Sequence, residues 1–214
     1  MSRIIDSKLR ELSTLVYGMG DLAYQAVSMA IEENLHGGES YNRIREISDT
    51  LIILADQTED KAFEIIARFQ PVASDLRTIK SYMKISYDFT RFGRYALDIS
   101  YINRRFGGLK ECEEWVRSYI IEISEKVLDM MKIGIEALKS QKTEVAKSVS
   151  DIEKDVDKLC FDFLDKMIGD RTIESRIIVS SVLTIRYFER IADHVAYICE
   201  SIIYALTGRK EFLR

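Results

Sequence analysis

Val149-Ser-Asp-Ile-Glu-Lys-Asp-Val-Asp-Lys-Leu-Cys-Phe-Asp-Phe-Leu-Asp-Lys-Met167 is the stretch whose reading decides the fold. Val149, Ile152, Val156, Leu159, Phe163 and Met167 recur at spacings of three and four, the apolar seam of a helix packed in a bundle. The same helical period runs through the whole chain. It predicts six helices, over 4–35, 40–68, 75–104, 111–140, 142–168 and 174–207. The breaks have chemical causes: His36-Gly-Gly38, Gln70-Pro71, Phe106-Gly-Gly108, Gly169-Asp170 and Thr207-Gly208 all carry helix-ending residues. With one proline and ten glycines in 214 residues, little else interrupts long helices. The fold class is therefore all-α, with helices running up and down.

The two halves overlay on each other. Phe89-Thr-Arg-Phe-Gly93 aligns with Phe188-Glu-Arg-Ile-Ala192 at an offset of 99 residues. Each half holds three helices, most of them roughly 40–50 Å long at 1.5 Å per residue. Two tandem three-helix bundles, residues 1–107 and 108–214, are the simplest arrangement; a single six-helix bundle is the alternative.

Composition narrows the function. Apolar residues at 47% and charged residues at 31% describe a folded globular chain. A net charge of −4, evenly mixed, lacks the dense basic face that a sequence-independent grip on nucleic acid needs. Cys112, Cys160 and Cys199 are odd in number and set in apolar helical patterns, which reads as reduced intracellular thiols. There is no signal-peptide pattern at the start. Uncharged apolar stretches such as Ile177 to Ile185 are far short of the roughly 20 residues a membrane span needs. The expectation is a cytoplasmic protein that meets a membrane through partners only.

Chemistry is concentrated in the last third. Glu153 and Asp157 are four residues apart, and so are Glu189 and Asp193. Such spacing puts both carboxylates of a pair on one helix face. About half a dozen acidic pairs at this spacing are expected by chance among 35 acidic residues, so the pairs need context. Geometry supplies it. Helices joined by a short turn pack antiparallel, and residues equidistant from the turn lie level. The pairs centre on residues 155 and 191, mirrored about 173, and the connecting loop Gly169–Glu174 centres near 172. Four carboxylates level with each other beside two apolar seams point to a cation site. The other reading is two solvated acidic faces balanced by Lys154, Lys158, Arg186 and Arg190. The same construction in the first half finds Ser48, Ile52, Thr90 and Arg94, none acidic.

Gln70-Pro-Val-Ala-Ser-Asp-Leu-Arg77, ahead of a long helix, resembles the central signature of the PhoU family of phosphate-uptake regulators. Phe188-Glu-Arg-Ile-Ala-Asp-His194, followed by Cys199-Glu-Ser-Ile-Ile-Tyr-Ala-Leu-Thr-Gly208, resembles the same family. The resemblance covers nearly the whole chain and implies a tandem three-helix repeat. It also implies a Glu/Asp-x-x-x-Asp motif on adjacent helices of each repeat that can hold iron or zinc clusters. By position the implied metal ligands are Glu153, Asp157, Glu189 and Asp193, and the first repeat departs from the pattern. The implied signature-loop residues are Gln70, Pro71, Ser74, Asp75 and Arg77, as a partner contact. Iron is the metal first expected. All-carboxylate ligation also suits manganese, magnesium or calcium, and zinc is carried by the resemblance. The resemblance implies a non-enzymatic negative regulator of high-affinity phosphate uptake. Its implied partners are the ATPase subunit of an ABC phosphate transporter and a sensor histidine kinase.

A second function class is a carboxylate-bridged di-metal enzyme. Such sites pair Glu-x-x-His motifs on two helices. Here Val156 and Ala192 stand three residues after Glu153 and Glu189, so the pattern is missing. A third is an adaptor of the same kind attached to a different transporter. Ser74 or Asp75 is expected to cap the third helix. Arg77, Lys80, Lys84, Arg91 and Arg94 form a basic strip, read either as a solvated face paired to acids of the second helix or as a docking surface. His194 is read as a surface residue or an outlying ligand, and Tyr17, Phe63, Phe163 and Phe188 as core. Long helices with exposed seams favour a homodimer.

Overall fold

The computed structural model describes residues 4–214, and all regular structure within them is helical. The helices are α1 (Ile4–His36), α2 (Tyr41–Phe69), α3 (Ala73–Phe106), α4 (Glu114–Ser140), α5 (Thr143–Lys147), α6 (Val149–Gly169) and α7 (Ser175–Thr207). Helices α1, α2 and α3 pack on one another, as do α4, α6 and α7; the two sets meet through α3 on α7 and α1 on α4. The fold class is the expected one.

Three local readings need correction. The single helix expected over 142–168 is broken at Ser148, where the hydroxyl donates to the Val145 carbonyl at 2.8 Å, and it is divided into α5 and α6. Helix α3 begins at Ala73 with Val72 as its N-cap, so Ser74 and Asp75 lie inside the first turn and neither holds the N-cap position. Gln70 closes α2 in the left-handed region, φ 46°, with its N–H on the Ile66 carbonyl at 3.1 Å. Among the aromatics, Phe163 and Phe188 are fully buried, but Phe63 is 60% exposed and belongs to the surface.

The α3–α7 contact carries a local two-fold relation. As residue number rises on α3 it falls on α7: Lys80 lies over the Tyr204 ring, Asp88 meets His194, and Tyr95 packs on Tyr187. Tyr95 and His194 are equivalent under the 99-residue offset, and they touch, with hydroxyl and Nε2 3.2 Å apart. The Asp88–His194 contact maps onto Tyr95–Tyr187 when the repeats are exchanged. Farther out, Arg77 packs beside Gly208 and Arg176 beside Gly107, so each repeat's arginine sits against the glycine that ends the other's last helix.

Within the first repeat α2 and α3 approach closely at Gly93. A Cβ there would lie 2.8 Å from Leu51 Cδ1 and 3.1 Å from the Ser48 backbone. The equivalent position in α7 is Ala192, so that helix pair accepts a methyl where α2 and α3 accept none. Gly93→Ala should therefore destabilise the protein by about 1–3 kcal/mol, read as a lower urea midpoint, whereas a neutral effect would mean that α2 shifts freely.

Candidate functional site

Helices α6 and α7 form an antiparallel hairpin, because the turn after Gly169 spans only residues 170–174. Their seams face inward: Val156, Phe163, Phe188, Ala192 and Val195 are buried. The four carboxylates stand beside these seams and are brought together at one height. Glu153 feels the charges of Asp157 and Asp193, and Asp157 feels those of Glu189 and Asp193.

Glu153 is the deepest of the four, 3% exposed. Burial first, then the Asp157 and Asp193 charges, push its pKa up to about 7. Burial, with Glu189 and Asp193, raises Asp157 as well. Beneath them the Cys160 thiol is pushed up to about 12, chiefly by burial, and is no nucleophile. Two arginines offset the negative charge from the rim. Arg186 pairs with Glu189 one turn away, and Arg214 Nη1 stands 3.7 Å from Asp193 Oδ1 while its guanidinium lies 4.1 Å over the Tyr197 ring. Glu153 and Asp157 have no hydrogen-bond or ion-pair partner among the described residues. Arg214 arrives because the tail folds back along α7: Leu213 is buried, its N–H donates to Glu200 at 3.1 Å, and Glu211 pairs with Lys147 at 2.7 Å.

The donor set, all carboxylate with a buried member lacking a partner, suits a hard cation. In the present side-chain arrangement, no group of three or more His, Cys, Asp or Glu among the described residues is gathered tightly enough to hold one. The arginines account for part of this, since Arg186 and Arg214 draw Glu189 and Asp193 toward themselves.

The first repeat has no counterpart. Ser48 is buried, Ile52 is exposed, Thr90 donates to the Tyr87 carbonyl at 2.7 Å, and Arg94 is exposed. Its α2–α3 seam is closed by Gly93 against Ser48 and Leu51.

His194 is neither a surface residue nor a ligand of this cluster. Its Nδ1 stands 2.8 Å from Asp88 Oδ1, a contact made by Nδ1–H donation, which leaves Nε2 to accept the Tyr95 hydroxyl at 3.2 Å. Asp88 is 2% exposed, and burial raises its pKa against the lowering effect of His194. The basic strip is also not paired to α2. Lys80 and Lys84 lie over Tyr204 and Tyr197 of α7, and Arg91 donates to the Tyr95 hydroxyl. Sequence reading missed the Asp88–His194 bridge and Arg214. The first was signalled only by Tyr95 and His194 sharing one repeat position. Nothing in the local pattern signalled the second.

In the signature loop, Pro71 is buried and Val72 and Leu76 are exposed, while Arg77 reaches across to Gly208. The family model described as the PhoU domain matches residues 16–102 and again 120–202. The chain belongs to the PhoU family. Clostridium acetobutylicum has a relative named phosphate-specific transport system accessory protein PhoU homolog, 29% identical over 213 residues, covering 97% of this chain and 96% of that one. A relative of the same name from Pseudomonas aeruginosa is 28% identical over 97% of this chain and 87% of its own length. The crystal structure of PhoU from Pseudomonas aeruginosa superposes with a TM-score of 0.88 at 25% identity, over 95% of this chain and 99% of that one. The regulatory protein PhoU from Streptococcus pneumoniae shares the fold, with a TM-score of 0.85 at 21% identity over 96% of this chain and 98% of that one. No helix among the described residues is long and apolar enough to cross a membrane.

The Glu153 environment has a pH consequence. A carboxyl whose folded pKa lies above its unfolded value favours folding as it takes up its proton, so metal-free protein should gain stability from this group as pH falls through about 7 toward 4.5. Glu153→Gln should raise stability at pH 8 by about 1–2 kcal/mol after solvent screening and flatten this dependence. A melting series over pH checks it, and an unchanged slope in Glu153→Gln would place the pH response elsewhere.

Proposed function

We propose that this chain is an accessory regulator of a phosphate-specific transport system, a non-enzymatic adaptor that lowers high-affinity phosphate uptake. Its partners are the ATPase subunit of the transporter and a sensor histidine kinase, which place it at the cytoplasmic face of the membrane. The observation that carries this reading is the PhoU match in both repeats, together with curated relatives of nearly the same length that bear the accessory-protein name. An adaptor is favoured over an enzyme because no histidine stands at the spacing a carboxylate-bridged oxidase needs. The signature loop supplies a contact surface: Val72 and Leu76 are exposed apolar side chains on a turn that Gln70 and Pro71 hold rigid. Removing the chain from its host should raise phosphate uptake by phosphate-replete cells, with wild-type chain restoring it. Unchanged uptake would end this reading.

Within that role, Glu153, Asp157, Glu189 and Asp193 would hold a cation, iron first among the candidates, with zinc, manganese, magnesium and calcium also suited to carboxylates. When bound, the cation supplies positive charge that relieves the mutual repulsion of the cluster. The chain's own part is to keep the carboxylates level on α6 and α7, and to let Arg186 and Arg214 leave Glu189 and Asp193. Glu189→Ala with Asp193→Ala should abolish bound metal, by elemental analysis of protein purified without chelators, and leave helical content intact. Equal metal in mutant and wild type would remove the site.

A further inference from the structure

Beside the carboxylate cluster, α3 and α7 leave a cavity of about 300 Å³ between the two repeats. Arg91, Tyr95 and Asp98 of α3 and Arg186, Tyr187 and Arg190 of α7 line it. Three guanidinium groups therefore face one carboxylate. Arg91 and Arg190 hold equivalent positions in the two repeats, so the packing of α3 on α7 brings like charge to like. No carboxylate lies within ion-pairing distance of Arg91 or Arg190 among the described residues, whereas Arg186 is committed to Glu189. Asp98 offsets only part of this charge: it is half-buried and faces three guanidinium groups, and burial raises its pKa against the lowering effects of Tyr187, Arg94 and Arg91.

A solvated arginine would carry no inference, but Arg91 is held. Its Nε and Nη2 donate to the Tyr95 hydroxyl at 3.2 and 3.0 Å, and its guanidinium lies 4.9 Å over the Tyr95 ring. Tyr95 is itself 3% exposed and donates to His194 Nε2. A chain of hydrogen bonds from Asp88 through His194 and Tyr95 thus fixes the Arg91 fork, leaving its other N–H donors to face the groove. Guanidinium forks match the oxygens of tetrahedral oxyanions, and a concave positive site concentrates such anions.

We propose that this groove binds a small phosphate-type oxyanion, gripped by Arg91 and Arg190 from the two repeats with Arg186 at its side. The groove shares Arg186 with the carboxylate cluster, where it pairs with Glu189, whereas Arg91 and Arg190 belong to the groove alone.

Equilibrium dialysis of the full chain against labelled inorganic phosphate and pyrophosphate, in chelator-treated buffer of low ionic strength, reads the site without metal. Saturable binding of one anion per chain is expected. Arg91→Gln and Arg190→Gln should each weaken it roughly tenfold. Tyr95→Phe, which frees the Arg91 fork, should weaken it a few-fold, and Arg171→Gln on the α6–α7 turn should leave it unchanged. Far-UV circular dichroism and melting temperature control for folding in every variant. No saturable binding of either anion by wild type up to about 10 mM overturns the proposal. Binding that folded Arg91→Gln and Arg190→Gln leave intact overturns it too.

Discussion

The antiparallel packing of α3 on α7 is the constraint on which the rest depends. Each helix belongs to a different repeat, and their pairing runs about a local two-fold axis, so equivalent positions confront each other. Such an interface must solve a problem that an unrelated pair of helices avoids: whatever residue sits at the axis meets its counterpart. At Tyr95 and His194 the repeats have diverged into a donor and an acceptor, and Asp88 completes the bridge from a buried position. At Arg91 and Arg190 they have not diverged, and the like charges stand across a water-accessible groove. A buried confrontation of this kind would be costly, whereas an open one is tolerated and leaves a positive site.

The second consequence is that one helix-pair geometry has two chemical solutions in a single chain. In the first repeat, α2 and α3 close on each other through Gly93, Ser48 and Leu51. In the second, α6 and α7 carry four carboxylates at the corresponding height, and nothing apolar replaces them. Mutual repulsion there is offset from the rim, by Arg186, Arg214 and Lys154, while Glu153 and Asp157 form no ion pair among the described residues. A cluster left in that condition lowers stability unless its protonation or a bound cation changes it.

Much of this was legible in the chain. The three-and-four spacing gave the helices, because burial of one stripe is a local, periodic demand. Gly169-Asp170 and the level spacing of Glu153, Asp157, Glu189 and Asp193 located the cluster, because a short turn leaves only one register for the hairpin. What escaped was set by distant partners. The break at Ser148 is masked in the sequence by the apolar seam that begins at Val149. Phe63 has the spacing of a core residue but stands on an exposed face of α2. His194 looked exterior because its partners, Asp88 and Tyr95, lie about a hundred residues away, and Arg214 reaches Asp193 only because Leu213 anchors the tail.

The central proposal is that Glu153, Asp157, Glu189 and Asp193 of the second repeat form a cation site for which the first repeat has no equivalent residues. Anomalous diffraction from crystals grown with ferrous iron or manganese tests it most directly. The account predicts a peak between α6 and α7, among Glu153, Asp157, Glu189 and Asp193, and none near Ser48 and Thr90. A peak elsewhere, or none between α6 and α7 in crystals soaked in the metal, would contradict it.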